Sequence, residues 1–291
     1  MKKIILVTDT NASLPKELIE KYQIIEVPIH IQFSDETYIT GETIDDTKLF
    51  NLIDERKLIP TTAAPSPSAF EGAYQTALDQ GAEAIICICC SGEVSATYNS
   101  AVMAKENFPE VDIHVIDSRG LSLAEGFQVL AAAEAIESGK ELPEIIKTIE
   151  HVRDRMVVYG ALPTLKYLAM GGRMGKLAAG FGNTLEIKPI LTLRDGKLDL
   201  LEKVRTWRKA KKRLVELAVD EAKGAVIERV GLIHVNNEEG VLALFTDLQD
   251  ALNISQDPVV TEFTPGLSVH TGSGVIAFAL ILKEPAKDIL L

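Results

Sequence analysis

The sequence predicts an α/β protein with two α/β domains, the first carrying a mostly parallel sheet flanked by helices, the second a mixed sheet with helices. Three observations carry this expectation. Short β-branched runs alternate with helical patterns through the first half, as in parallel strands joined by crossover helices. In the second half, Arg194-Asp195-Gly196 stands between two apolar runs and marks a hairpin. A chain of 291 residues, 46% of them hydrophobic, has the length of about two domains and the apolar content to give each a core.

Ile4 to Thr8 reads as the first strand, and Ser13-Leu14-Pro15 supplies an N-cap and a proline at the start of a helix over Lys16 to Tyr22. Strands follow at Ile24 to Ile31, Ala84 to Cys89 and Ile113 to Ile116, with helices near Asp46 to Arg56, Ser68 to Asp79, Ser95 to Asn107 and Leu121 to Glu137. These strands fit one open sheet. After a helix near Leu142 to Arg155 the pattern changes: Met156 to Tyr159 is a short strand, Thr164 to Met170 is helical, and a glycine-rich loop follows. The boundary is placed at 157/158, giving domains 1–157 and 158–291. The second domain holds the hairpin Ile187 to Leu193 and Lys197 to Leu201, a long helix, strands near Val230 to Val235 and Val259 to Glu262, a helix near Gly240 to Leu252, and a closing apolar run from Val275 to Leu282. No internal repeat or low-complexity segment interrupts the pattern.

A net charge of −12 sets the average surface against nucleic-acid phosphates and anionic lipid headgroups, so neither a nucleic-acid partner nor stable membrane insertion is expected. An acidic ligand would need a local pocket lined by amides or cations. Met1-Lys2-Lys3 leads directly into a strand, and no apolar run approaches the roughly 18 residues of a membrane span, which points to a cytosolic protein. Cys87, Cys89 and Cys90 share one apolar run without metal-ligand spacing and read as buried small hydrophobes.

In open parallel sheets, ligands bind beyond the carboxyl ends of the strands. The loops there carry short polar residues: Thr8-Asp9-Thr10-Asn11-Ala12-Ser13, Ser91-Gly92-Glu93-Val94-Ser95-Ala96-Thr97 and Asp117-Ser118. Pro60-Thr61-Thr62-Ala63-Ala64-Pro65-Ser66-Pro67 adds hydroxyls on a proline-stiffened loop. Such residues beside helix N-termini either seat an anion or cap a helix, and capping alone accounts for Ser13, Ser68 and Ser95. Ser91 and Thr62 are less easily assigned to capping. Among five histidines, His270 alone has a glycine context, Gly266-Leu267-Ser268-Val269-His270-Thr271-Gly272-Ser273-Gly274; it can donate to an acid, act as a base or cap a turn.

Five glycines between 171 and 182, with Arg173, Lys176 and Lys188 nearby, imply a close approach of backbone to something. Three familiar motifs fail on context. Gly272-Ser273-Gly274-Val275-Ile276-Ala277 has too little chain after it for a dinucleotide fold, Gly175-Lys176 lacks the upstream glycine and following hydroxyl of a P-loop, and Gly266-Leu267-Ser268-Val269-His270 replaces the second glycine of a nucleophile elbow by histidine. The basic run 203–213 is a solvated face or a docking surface, with Lys203 and Arg205 the better functional candidates.

Taken in order, Thr8-Asp9-Thr10-Asn11-Ala12, Thr62-Ala63-Ala64-Pro65-Ser66-Pro67, Ser91-Gly92-Glu93-Val94-Ser95-Ala96-Thr97, Ile116-Asp117-Ser118, Gly171-Gly172-Arg173-Met174-Gly175, Ile187-Lys188-Pro189-Ile190-Leu191, Lys203-Val204-Arg205 and His270-Thr271-Gly272-Ser273-Gly274 resemble the DegV family along nearly the whole chain. The resemblance implies a carrier without catalysis of its own and with no cofactor. It would hold one long-chain fatty acid, such as palmitate, stearate or oleate, in a tunnel between two α/β domains. It would present the acyl carboxylate to a separate fatty acid kinase subunit, which makes acyl phosphate for phospholipid synthesis. By the same resemblance Thr62, Ser91, Ser95 and His270 bind the carboxylate and Arg173 matches a kinase-docking position; Thr61, Gly92, Asp9, Ser118 and Gly272 are secondary ligand-site candidates, and Lys203 and Arg205 join Arg173 as docking candidates. The chain departs from the family pattern at Ala63 and Ala64, at Gly92 where a second serine is usual, and at Ser273 where proline is usual.

Burying about fourteen methylenes gains on the order of 11 kcal/mol before the cost of association, so the tail can drive binding while a few hydroxyl and imidazole donors satisfy the headgroup. The alternative is a small-ester hydrolase or acyltransferase using His270 with Ser91 or Ser268. A third possibility is a regulatory module acting through the basic run.

Overall fold

A computed structural model describes residues 2–172 and 187–283. The chain divides into two compact units: residues 1–45, 60–153 and 195–197 form the first, and residues 46–59, 154–194 and 198–291 the second.

In the first unit, β1 (Ile4–Asp9), β2 (Ile25–Val27), β6 (Ala84–Cys89) and β7 (Ile113–Asp117) make a parallel sheet in the order β2-β1-β6-β7. All six residues of β6 are buried, as expected of a strand covered on both faces. One face packs on α3 (Pro67–Asp79) and α4 (Thr97–Lys105), where Ile5, Val7, Phe70, Tyr74, Ile85, Cys87 and Cys89 form the core. The three cysteines are buried with free thiols. On β1 and β6 also packs α5 (Leu123–Glu137), buried on nearly every side. The amphipathic α6 (Leu142–Asp154) buries Ile145, Ile149 and Val152.

The expected single strand from Ile24 to Ile31 is two strands in two sheets. Pro28 supplies no N–H and interrupts the ladder, so β2 ends at Val27 and β3 (His30–Phe33) pairs with β4 (Glu36–Ile39) and β5 (Thr61–Ala63) in a separate antiparallel sheet. The first half therefore holds two sheets where the sequence suggested one. Capping differs as well. Ser13 closes a 3-10 turn over Thr10–Ala12 in a left-handed conformation (φ 48°), and Pro15 is the N-cap of α1 (Lys16–Tyr22). Ser66, one residue before Pro67, caps α3 by accepting from the Ala69 amide at 3.3 Å, so Ser68 is not the cap.

The second unit contains α2 (Asp46–Arg56) and a six-stranded mixed sheet ordered β10-β9-β8-β13-β11-β12. Its strands are β8 (Met156–Ala161), β9 (Lys188–Arg194), β10 (Lys197–Val204), β11 (Ile227–His234), β12 (Val259–Glu262) and β13 (Ile276–Leu282). The pair β11 and β12 runs parallel, whereas β13 is antiparallel to both β8 and β11. Against the sheet lie α8 (Trp207–Ala222) and α9 (Glu238–Leu252), burying Leu214, Leu217, Val241, Leu244 and Leu248 on Val157, Leu232, Phe278 and Leu280. Arg155, 6% exposed, donates to the Leu282 carbonyl at 2.7 Å and pairs with Glu228. Two short helices, α7 (Lys166–Met170) and α10 (Pro265–Thr271), complete the described part. Among the described residues no helix is long and apolar enough to cross a membrane.

Candidate functional site

The loops at the carboxyl ends of β1, β6 and β7 are tied together by buried polar groups. Asp9 ends β1, is fully buried, and accepts from the Asn11 amide at 3.0 Å and from the Cys90 amide at 2.9 Å. Burial pushes its carboxyl up to about 6 against the opposing pull of those two amides. Glu125 on α5 is equally buried, and its proton is held well above the usual carboxylate range by burial first and by the charge of Asp9 second. Thr8 sits within hydrogen-bond distance of both the Ile88 carbonyl (2.9 Å) and Glu125 Oε1 (3.1 Å). Gln128, one turn on, donates to the Ser118 carbonyl at 2.9 Å. This acid-rich layer escapes a reading of the loops alone. Its signal is two polar residues in the apolar run Leu123-Ala124-Glu125-Gly126-Phe127-Gln128-Val129.

Ser91 follows β6 and is fully buried. Its hydroxyl donates to the Gly196 carbonyl at 2.8 Å and accepts from the Glu93 amide at 3.3 Å, while its own amide donates to the Gly120 carbonyl at 2.9 Å. A hydroxyl has one proton, so donation to a ligand requires exchanging the bond to Gly196. Gly92 is packed closely: a Cβ there would lie 3.2 Å from Asp117 Oδ2 and 3.4 Å from the Tyr98 ring. Ser95 is half-buried, shares a 2.7 Å hydrogen bond with the Thr97 hydroxyl and accepts from the Thr97 amide at 3.3 Å, just ahead of α4. Ser118 is buried and its Oγ accepts from the Gly120 amide at 3.0 Å. Arg119 and Ser122 in the same loop take positive φ, 50° and 51°, a conformation that costs of order 1–3 kcal/mol and persists because the surrounding bonds impose it. Thr62 lies on β5 opposite Ile31 and is half-buried; Thr61 beside it is exposed.

His270, which stands in a glycine context in the sequence, occupies the last turn of α10, where it is half-buried. Thr264 precedes the helix, Pro265 begins it, and Gly272 at φ 83° ends it. Ser268, on the same helix, is fully buried and donates to Asp46 Oδ1 at 2.5 Å. Residues two apart on a helix do not face one another, so Ser268 and His270 do not form a nucleophile–base pair. A Cβ on Gly171 would stand 2.4 Å from His270 Nδ1, and one on Gly272 would stand 2.5 Å from the Tyr167 ring. Burial, then the charge of Asp54, raises the Tyr167 phenol.

Thr61, Thr62, Ser91, Gly92, Ser95, Asp9 and Ser118 thus belong to the first unit, and His270 and Gly272 to the second. Arg173 and the glycines after it lie outside the described residues. Lys203 is on β10 and Arg205 on the turn before α8, both exposed. Further along that basic run, Arg213 pairs with Glu202 and Glu216, Lys211 with Asp247, and Lys212 with Glu216, so much of it is a solvated, ion-paired face. Among the described residues no group of three or more His, Cys, Asp or Glu is arranged to hold a metal ion.

A family model described as an uncharacterised protein of the DegV family matches residues 3–283. A DegV domain-containing protein of Streptomyces coelicolor is 34% identical over 275 residues, covering 94% of this chain and 97% of the relative. Among solved structures, a DegV family protein from Thermus thermophilus, described by its fatty acid binding, is similar with a TM-score of 0.90 and 31% identity over 97% of this chain and 100% of the other. A stearic acid-binding protein from Eubacterium ventriosum is similar with a TM-score of 0.87 and 25% identity over 97% of this chain and 99% of the other. With the model spanning nearly the whole sequence and the relatives aligned end to end, the chain belongs to the DegV family.

Proposed function

We propose that this protein is a cytosolic fatty-acid carrier: it binds one long-chain fatty acid, such as palmitate, stearate or oleate, and offers the carboxylate to a separate kinase subunit that forms the acyl phosphate. The observation that carries the binding part is the full-length likeness to the Thermus thermophilus protein, whose fatty acid binding is the property it is described by. Headgroup recognition is assigned to Thr62, Ser91, Ser95 and His270, with Thr61, Gly92, Asp9, Ser118 and Gly272 contributing around them. Hydroxyl and imidazole donors suit an acid whose tail supplies most of the affinity, because they pair the charge without a lysine. The kinase step rests on the motif resemblance, which gives Arg173 a docking role, with Lys203 and Arg205 added as docking candidates from the basic run; acyl-phosphate chemistry then resides in the partner.

Native mass spectrometry of the purified protein, followed by lipid extraction and palmitate titration, tests the carrier reading. A co-purifying fatty acid, or uptake of one equivalent of palmitate, is the expected result. Protein that carries no lipid and takes up neither palmitate nor oleate refutes it. For the kinase step, Arg173→Ala is expected to keep palmitate binding and slow acyl-phosphate formation by a fatty acid kinase; equal loss of both removes the docking role.

A further inference from the structure

We infer that Gly171, Ser268 and Asp46 are positioning residues that hold the His270 imidazole in a single orientation for headgroup recognition, an inference that rests on the assignment of His270 as a headgroup donor. The seven-residue α10 is too short to be stable by itself, so its direction depends on what packs against it. Two elements of the same unit do so, α2 and α7.

The α7 contact falls on the ring. Gly171 caps α7 with φ −77° and ψ −1°, a backbone that any residue adopts, so its conformation gives no reason for glycine. Space gives one: a Cβ would lie 2.4 Å from Nδ1 and 3.0 Å from Cε1 of His270, the first closer than Cβ atoms approach, so any side chain at 171 must displace the imidazole. The bare α-carbon of Gly171 is therefore a wall shaped to the imidazole. Behind it, the Tyr167 ring lies against Gly272, where a Cβ would come within 2.5 Å, so the residue that ends α10 is also held by α7.

The α2 contact secures another face of α10. Ser268 and Asp46, 222 positions apart in sequence, are joined by a 2.5 Å hydrogen bond with both residues buried. Ser268 is two residues from His270 and points elsewhere around the helix, so this bond fixes the rotation of α10 without occupying the ring. One contact sets the helix, the other sets the side chain. Such locking lets a donor meet a carboxylate without first surrendering rotamer freedom.

The experiment has a ligand-free arm and a binding arm. In the first, the His270 ring nitrogens are followed by 15N NMR in wild type and Gly171→Ala, with melting temperatures recorded for both. Displaced His270 resonances in a folded variant are expected; an unchanged ring environment overturns the inference whatever the ligand proves to be. In the second, palmitate and hexadecanol, which share a tail and differ in the headgroup, are titrated into wild type, G171A, S268A, H270A and the double variant G171A/H270A. The expectation is a loss of roughly tenfold or more in palmitate affinity for G171A, a loss in the same direction for S268A, and hexadecanol affinity within about twofold of wild type. In the H270A background, G171A should add nothing. Equal losses for both lipids, or an undiminished G171A effect without the imidazole, would mean that the glycine only supports the fold and would overturn the inference. Should H270A itself leave palmitate binding intact, the headgroup assignment falls and the positioning role falls with it.

Discussion

Replacing Glu125 by glutamine probes the buried acid layer beneath the β1, β6 and β7 loops. Both carboxyls of that layer, Asp9 and Glu125, are raised by burial, and Glu125 lies well above its ordinary range. A carboxyl whose folded-state pKa is raised binds its proton more tightly in the fold than in the unfolded chain. Its stabilising contribution is complete below the unfolded value of about 4.3 for Glu and is lost as the pH climbs toward the folded value. While Glu125 is protonated in the fold and ionised in the unfolded chain, the slope is one proton, or about 1.4 kcal/mol per pH unit. From about pH 5 toward pH 7 the wild type should therefore lose stability that the variant keeps, at up to that slope for as long as the folded carboxyl holds its proton, since the amide has no proton to release. The Thr8 hydroxyl, 3.1 Å from Oε1, can donate to the glutamine oxygen as it does to the acid. Asp9, pushed up to about 6, titrates in both proteins, and because it acts on Glu125 by charge and by hydrogen bond, its own step shifts in the variant and enters the difference. Glu26 on β2, raised to about 7 by desolvation and then by Asp9, is present in both proteins and contributes to both profiles. Urea unfolding at half-unit pH steps, read by circular dichroism, measures the two profiles. Curves that run parallel within about 0.5 kcal/mol across this window would refute the claim that Glu125 is neutral in the fold.

Two glycines offer further tests. In α5, Gly126→Ala should gain about 1 kcal/mol from helix propensity, but its Cβ would meet the Ala12 carbonyl at 2.8 Å and Leu14 Cδ2 at 2.9 Å; a net loss of about 1–3 kcal/mol in urea unfolding is expected, and a stabilised variant would contradict the packing. Gly196 has φ 78° and would place a Cβ 2.5 Å from Ser91 Oγ, so Gly196→Ala should cost about 1–2 kcal/mol through strain and the displaced hydroxyl; an unchanged urea midpoint would show that the turn is not so constrained.

Much of the fold is legible in the sequence where a local rule suffices. The apolar runs at Ile4 to Thr8, Ala84 to Cys89 and Val275 to Leu282 announce buried strands, and Arg194-Asp195-Gly196 announces the hairpin between β9 and β10. The three-stranded sheet is hidden because its signals are weak or fused: β5 is three residues beside prolines, and β3 continues the apolar run of β2 across Pro28. At the candidate site, residue type and topology single out Ser91, Thr62 and His270 as polar groups in informative contexts. What residue type cannot convey is which partner each hydroxyl takes. The Ser268–Asp46 bond joins positions 222 apart, and the fit of Gly171 to the imidazole is a matter of shape that no spacing rule encodes.

The middle of the mixed sheet has a consequence for biosynthesis. Every residue of β13 is buried, and among the described strands it alone bridges β8 to β11, so residues 276–282 stitch a β10-β9-β8 piece to a β11-β12 piece. Until the ribosome has delivered that stretch, each piece presents an unpaired row of amides and carbonyls, the kind of border that invites adhesion between nascent chains. A stop codon or proteolytic cut ahead of Ile276 would leave those borders permanently open, so the resulting fragment should accumulate as aggregates instead of as a shortened but soluble protein.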